Sequence, residues 1–222
     1  MSRNSYAVFG LGSFGAKLAL ELSHAGHNVL VCDVNQNKVD DFSTKVTEAV
    51  VGDVSNPDTV RELSVSRFDS VILCMSSFFE KQVLALHVLK NEDGCKAKRV
   101  LAKAVNDIQE GILYRIGADE VIQPENDAAE RFARRLSLAN IRDITDFRGS
   151  AIAEVLVPSG MAGRTLRELD LRRQHNITVL LVRKPESAED TFPGPDSVLE
   201  KGDALTVFGG RKEIEKLFKK EN

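Results

Sequence analysis

The chain has no tryptophan, only two tyrosines and three cysteines, and no apolar run approaching the ~20 residues that a membrane-spanning helix needs. Three cysteines cannot form a disulfide framework and suit a reducing compartment. Cys32 and Cys74 fall inside strand-like runs and read as small buried apolar side chains, whereas Cys95, beside Gly94 in a loop, is the thiol expected at the surface. The four histidines show no metal-ligand spacing; His24 and His27 flank Gly26, as at a helix end. Charge of one sign is also lacking. A net charge of −3 with both signs interspersed argues against a nucleic-acid partner, and no basic run suggests direct membrane attachment. The first apolar run, Tyr6 to Phe9, is short and stopped by glycine, so no secretory leader is expected. What is present is 42% hydrophobic and 28% charged residues over 222 positions, enough for one large or two small globular domains.

The opening run leads directly into Gly10-Leu-Gly-Ser-Phe-Gly15, the spacing G-x-G-x-x-G, and then into helix formers from Lys17 to Leu22. Each glycine serves a separate physical purpose. Gly10 permits the tight turn, Gly12 lets backbone approach a pyrophosphate, and Gly15 lets the helix lie close on the strand. The helix N-terminus at Ser13 and Phe14 would then offer unpaired N–H groups to an anion. A second apolar run, Val29 to Asp33, ends in a carboxylate about 20 residues further on, where such folds bind the hydroxyls of an adenosine ribose. Asp33 could instead cap the next helix. The following Val34-Asn-Gln-Asn37 contains no arginine for a 2′-phosphate, which favours NAD or a plain adenine nucleotide over NADP.

Apolar runs continue to alternate with helical patterns. Further strands are expected at Glu48–Val51, Ser70–Met75, Arg99–Lys103 and Glu120–Gln123, with helices over Asn37–Lys45, from Pro57, over Glu80–Asn91 and up to Gly117. This grammar predicts an α/β fold, a Rossmann-like doubly wound parallel sheet. Ligands of such sheets lie outside the carboxyl ends of the strands. The residues there include Asp53, which suits either the adenine end of a nucleotide or a helix N-cap. Ser76 and Ser77 suit either phosphate or capping, and Lys103 either phosphate or solvent. Pro124 opens another helix, whose stripe Ala129, Phe132, Ala133 and Leu136 suits a subunit contact or its own domain equally.

The composition shifts at residues 140–149, a polar stretch read as a linker between a first domain, 1–139, and a second, 150–222. The second half reads as a small α+β module. It has strands at Ala151–Val157, Ile177–Val182 and Ala204–Phe208, a short helix at Thr165–Asp170, a Pro- and Gly-containing loop over 185–196, and a charged helix over Arg211–Lys220.

Taken together, the glycine turn, Asp33, Gly52-Asp53, Lys103-Ala104, Ile116-Gly-Ala-Asp119 and Ile122-Gln-Pro-Glu125 resemble the regulatory subunits of Ktr and Trk potassium transporters. In those proteins an N-terminal RCK (regulator of potassium conductance) domain precedes a small C-terminal RCK module. Leu166 to Arg172, Asn176-Ile-Thr178 and Val198 to Asp203 are similar to that module. The resemblance implies a cytoplasmic homodimer assembling into an octameric ring, docked beneath a membrane potassium transporter subunit and gating it with bound nucleotide. It implies NAD or NADH, or ADP and ATP, as ligands, with Gly10, Gly12 and Gly15 on the phosphates, Asp33 on the ribose and Asp53 on the adenine side. Glu125 corresponds to a carboxylate that reaches towards a divalent cation, or else serves the first turn of its helix. Leu166, Arg172, Asn176, Ile177 and Pro193 correspond to positions that bind cyclic di-AMP between two modules, with a looser correspondence around Arg173-Gln-His175. One departure is Ser13, where Ktr subunits commonly carry an arginine that meets the last phosphate of ATP; a short neutral side chain shifts the expectation towards NAD(H) or ADP.

An oxidoreductase would need a substrate domain with a proton donor and an orienting group, and no convergent acid–base cluster follows the first domain. The nucleotide is therefore expected to act as a signal in a protein that is not an enzyme. The alternatives are a small NAD-dependent oxidoreductase and a nucleotide sensor for a different partner.

Overall fold

The computed structural model describes residues 3–137, 140–187 and 189–218. The end of the expected first domain, 138–139, and the last residues of the expected C-terminal helix, Lys219 and Lys220, lie outside the described residues. The chain divides into two compact units, Met1–Asn126 and Asp127–Asn222.

The first unit alternates strand and helix. β1 (Ser5–Phe9), α1 (Ser13–His24), β2 (Asn28–Asp33), α2 (Gln36–Asp40), β3 (Glu48–Val51) and α3 (Pro57–Glu62) are followed by β4 (Ser70–Leu73), α4 (Phe79–Asn91), β5 (Val100–Lys103), α5 (Asp107–Ile116) and β6 (Glu120–Ile122). The strands form one parallel sheet in the order β3-β2-β1-β4-β5-β6, the Rossmann-like arrangement expected. Its central strands are continuous apolar runs because helices cover both faces. Along β1, Ala7 and Phe9 enter one core with Leu30, Leu73, Leu86 and Leu113, while Val8 enters the other with Val29, Val31 and Ala19.

Local chemistry sets the helix ends. Asn56 caps α3, accepting from Asp58 N at 2.9 Å ahead of Pro57, and Asn106 caps α5, accepting from Gln109 N at 2.9 Å. Gly117, in the left-handed region, ends α5. α2 is shorter than its expected span to Lys45. Beyond Asp40 the backbone tightens into three-residue bonds, Ser43 N to Asp40 O and Lys45 N to Phe42 O, and the Ser43 hydroxyl also donates to the Asp40 carbonyl. Cys95 departs from its expected exposure: it is fully buried, and its Sγ donates to the Pro57 carbonyl at 3.4 Å.

α6 (Pro124–Ser137) spans the division between the units. In the second unit, β7 (Ile141–Phe147), β8 (Ser150–Leu156), α7 (Leu166–Leu169), α8 (Leu171–His175), β9 (Thr178–Arg183), β10 (Asp190–Thr191), β11 (Ala204–Gly209) and α9 (Arg211–Phe218) form the expected α+β module. Its antiparallel sheet has the order β10-β9-β11-β8-β7. The core of the module comprises Ala151, Ala153, Val155, Leu205 and Val207 with Ile214 and Phe218 of α9. Asp203 is fully buried, with its Oδ2 accepting from Lys184 Nζ at 2.8 Å and Glu200 N at 2.9 Å, which fastens the Lys201-Gly-Asp203 turn.

The stretch 140–149, expected to be a linker, is instead mostly strand. β7 pairs with β8 through a two-residue turn, Arg148 and Gly149, both at positive φ (46° and 87°), which suits the twist of a hairpin. It looked like a linker because it is an edge strand: only Ile141 is buried and Ile144 half-buried, leaving the polar residues facing outward.

The fold predicts a penalty at Gly15. A Cβ there would land on the Gly10 carbonyl and within 2.9 Å of Cys74 Cβ. Gly15→Ala should lose about 1–3 kcal/mol in urea unfolding, as overpacking does; an unchanged midpoint would contradict the close approach.

Candidate functional site

At the carboxyl end of β1 the chain turns at Gly10, whose φ of 97° is open to glycine, and its N–H donates to the Cys32 carbonyl on β2 at 2.8 Å. Gly12 forms the N-cap of α1 and provides no side-chain cap; the first helical bond runs from Ala16 N to Gly12 O at 2.9 Å. The N–H groups ahead of it, from Ser13 to Gly15, point outward from the helix start and carry the positive end of its dipole. The three glycines differ in what the protein itself demands. Gly10 is required by its φ and Gly15 by the close approach of β1 and β4. Gly12 has ordinary extended geometry (φ −72°, ψ 179°), and a Cβ there would meet only the Cys74 carbonyl, at 4.0 Å. Nothing in the chain's own packing excludes a Cβ from that point.

Asp33 sits beside this turn with a largely covered carboxylate. Its Oδ2 accepts from Leu11 N at 2.6 Å and its Oδ1 from Asn35 N at 2.9 Å. A carboxylate oxygen has a second lone pair, so the group can still accept ribose hydroxyls while holding the glycine turn against β2. It is Asn35, not Asp33, that caps α2, accepting from Lys38 N at 3.3 Å. A cleft of about 310 Å³ opens here, with Gly10, Gly12, Asp33 and Lys38 among its lining. Val34, Val54, Met75 and Phe78 supply apolar walls, and Lys81 faces it from α4. The thiols of Cys32 and Cys74 lie in its floor, and burial pushes both up to about 12, so they are inert packing groups.

The other residues expected at the strand ends fall into two places. Asp53, next to the cleft-lining Gly52 and Val54, accepts from Lys81 Nζ at 2.6 Å through Oδ2, and from the Ser55 hydroxyl at 2.6 Å and Ser55 N at 3.1 Å through Oδ1. The Lys81 hydrogen bond, followed by Ser55, holds its carboxyl below the usual range. Ser76 is buried in the short turn before α4, and its neighbour Ser77 lines the cleft instead. Lys103 lies outside the cleft lining, beside α1: its Nζ is 5.8 Å from the Phe14 ring centroid and 2.5 Å from Glu125 Oε1. Among the described residues no group of three or more His, Cys, Asp or Glu side chains converges on a metal position. Glu125 is paired with Lys103. Two cleft residues, Lys38 and Lys81, escaped the sequence reading. Lys38 directly follows Val34-Asn-Gln-Asn37, and its Nζ is 3.9 Å from Asp33 Oδ2.

In the second unit the residues matched to cyclic di-AMP binding are scattered in character. Arg172 and Asn176 are exposed, Leu166 and Pro193 half-buried, and Ile177 is fully buried against Gly209. A cavity of about 260 Å³ in this unit is lined by other residues of the same helices, among them Leu169, Leu171, Gln174 and His175.

A parallel doubly wound sheet with its cleft over a glycine-rich turn, followed by a small antiparallel module, defines a Rossmann-type nucleotide-binding domain with an appended α+β module. Residues 6–124 match the TrkA-N domain and residues 152–221 the TrkA-C domain. The chain belongs to this TrkA family of potassium uptake proteins. It is 28% identical to Ktr system potassium uptake protein C of Bacillus subtilis (strain 168), across 98% of this chain and 97% of that protein. It is 32% identical to Ktr system potassium uptake protein A of Vibrio alginolyticus, across 94% of each. Among solved structures, the GsuK channel bound to NAD has the same fold (TM-score 0.65, 19% identity); the match covers 100% of this chain, which spans 40% of that one.

The double anchoring of Asp33 gives it a structural role of its own. Asp33→Ala leaves the buried Leu11 N–H without its acceptor, and the ligand-free variant should be about 1–3 kcal/mol less stable in chemical denaturation; stability equal to that of the parent chain would show that the turn holds itself.

Proposed function

We propose that this chain is a cytoplasmic regulatory subunit of a membrane potassium transporter, and that it binds an adenine nucleotide in the cleft of its first unit and gates the transporter accordingly. The observation that carries the nucleotide reading is Gly12, a position where an added Cβ meets nothing closer than 4.0 Å, which caps the start of α1 and lines the same cleft as Asp33. The phosphates lie over Gly10, Gly12 and the first turn of α1, the ribose against Asp33, and the base between Val34, Val54 and Phe78 towards Asp53. The neutral Ser13 favours NAD(H) or ADP over ATP, and the NAD-bound GsuK channel of the same fold supports an adenine dinucleotide as a ligand. The family membership and full-length similarity to Ktr potassium uptake proteins support the transporter as partner. A homodimer built into an octameric ring is the assembly through which the signal acts: a ligand shifts the ring only by binding one subunit arrangement better than another. Cyclic di-AMP at Leu166, Arg172, Asn176 and Pro193 is a second input, with Ile177 acting through the core rather than by side-chain contact.

Two measurements test this. Calorimetric titration with NADH, NAD, ADP and ATP should show saturable binding that Gly12→Val abolishes, while the poorer N-cap costs its unfolding only about 1 kcal/mol, since a Cβ there meets nothing closer than 4.0 Å. Binding lost together with several times that stability would make Gly12 merely structural. Potassium uptake through the partner transporter, in cells lacking their own regulatory subunit, should change when this chain is supplied and should not change with Gly12→Val. Uptake that is indifferent to the chain under every nucleotide condition would sink the regulatory role.

A further inference from the structure

Lys81 reaches the cleft from the first turn of α4, and its Nζ is tied at 2.6 Å to Oδ2 of Asp53, in the connection between β3 and α3. The two residues differ in what they can offer a ligand. Asp53 is already engaged through both oxygens, since its Oδ1 accepts from the Ser55 hydroxyl at 2.6 Å and from Ser55 N at 3.1 Å while its Oδ2 takes the ammonium. It stands behind the wall that its neighbours Gly52 and Val54 form. Lys81, by contrast, lines the cleft itself, with a side chain 48% exposed. An ammonium carries three N–H groups, and among the described residues Asp53 takes one of them. An ion pair this exposed adds little to folding stability, yet it fixes a cation at the end of the cleft where Val54 and Phe78 form the apolar walls. The hydrogen bond from Lys81, ahead of those from Ser55, holds the Asp53 carboxyl below its usual range, so the anchor is charged at neutral pH.

We propose that Lys81 is the residue that contacts the base, donating to a ring nitrogen of the adenine, and that Asp53 is the positioning residue that holds it there. This rests on the nucleotide reading above. A group that only donates cannot pair with the 6-amino group, whereas the ring nitrogens of the purine are acceptors. The ionised donor makes that bond stronger than one between neutral groups. Asp53 acts one step back from the ligand: without it the ammonium, on its flexible four-carbon stem, swings into solvent. Lys81 is therefore a specificity-determining residue that requires an acceptor on the edge of the base, at a site where Asp33 and the glycine turn meet only ribose and phosphate.

The test pairs single ligand atoms with single residues. Calorimetry on the full chain compares whichever of ADP and NADH binds more tightly with its 1-deaza, 3-deaza and 7-deaza analogues, in each of which one ring nitrogen becomes C–H. One of the three should bind the parent chain about tenfold more weakly than the natural ligand, the size of one hydrogen bond to a charged group. Lys81→Met should weaken the natural ligand by about the same factor and abolish its advantage over that analogue. Asp53→Asn should weaken it no further than Lys81→Met does, and the double variant should match Lys81→Met. A purely structural ion pair would leave every analogue level with the natural ligand. Analogues that all bind the parent as the natural ligand does, or a penalty that persists in Lys81→Met, overturn the contact. A double variant weaker than Lys81→Met shows Asp53 touching the base and overturns its positioning role. These results leave the functional reading standing, whereas a parent chain that binds neither ADP nor NADH overturns that reading, and this inference with it.

Discussion

Between the first turn of α1 and the ends of β1 and β4 there is no room for a single added carbon. Gly15 rests on the Gly10 carbonyl and Cys74, and Gly10 takes a positive φ that a residue with a side chain would adopt only under strain. From that contact follows the rest of the first unit. The helix start is pressed onto the sheet edge, its unpaired N–H groups point over the strand ends, and the chain leaving α1 returns as β2 close enough for Asp33 to accept from Leu11 N. A looser contact would tilt α1, and the cleft between the turn and Asp33 would lose its floor.

The charges around the cleft are largely committed before any ligand arrives. Asp33 holds the glycine turn and the start of α2, Asp53 holds Ser55 and Lys81, and Lys103 holds Glu125. Such a site has little unpaired charge to attract anions non-selectively, and affinity must come from exchanging one set of hydrogen bonds for another. For the sensor role proposed above this is an advantage, since a ligand is reported only by changing contacts.

Much of this was legible in the sequence where the signal is local. The glycine spacing, the apolar runs and Asp33 are fixed by chain periodicity and by the short path from one strand end to the next helix, so the parallel sheet and its cleft could be placed from the chain alone. What escaped was set by contacts between residues far apart in the chain. Lys81 looks like an ordinary helix lysine until α4 is laid beside Asp53, and Cys95 looks exposed beside Gly94 until its loop folds under the carbonyl of Pro57. The polar stretch 140–149 misled for a different reason: an edge strand needs few apolar residues, because one of its sides and its outer rim face water.

The hairpin formed by that stretch has a practical corollary for anyone cutting the chain. Asp146 on β7 meets Arg211 of α9 at 2.5 Å, and β7 covers the flank of β8 along its length. The region similar to the TrkA-C domain begins at residue 152, inside β8. A fragment started there would keep the recognisable sequence yet bare the hydrogen-bonding rim of its own sheet and leave Arg211 without Asp146. The smallest self-contained piece of the C-terminal half therefore begins ahead of Ile141, a boundary drawn by strand pairing that sequence similarity does not mark.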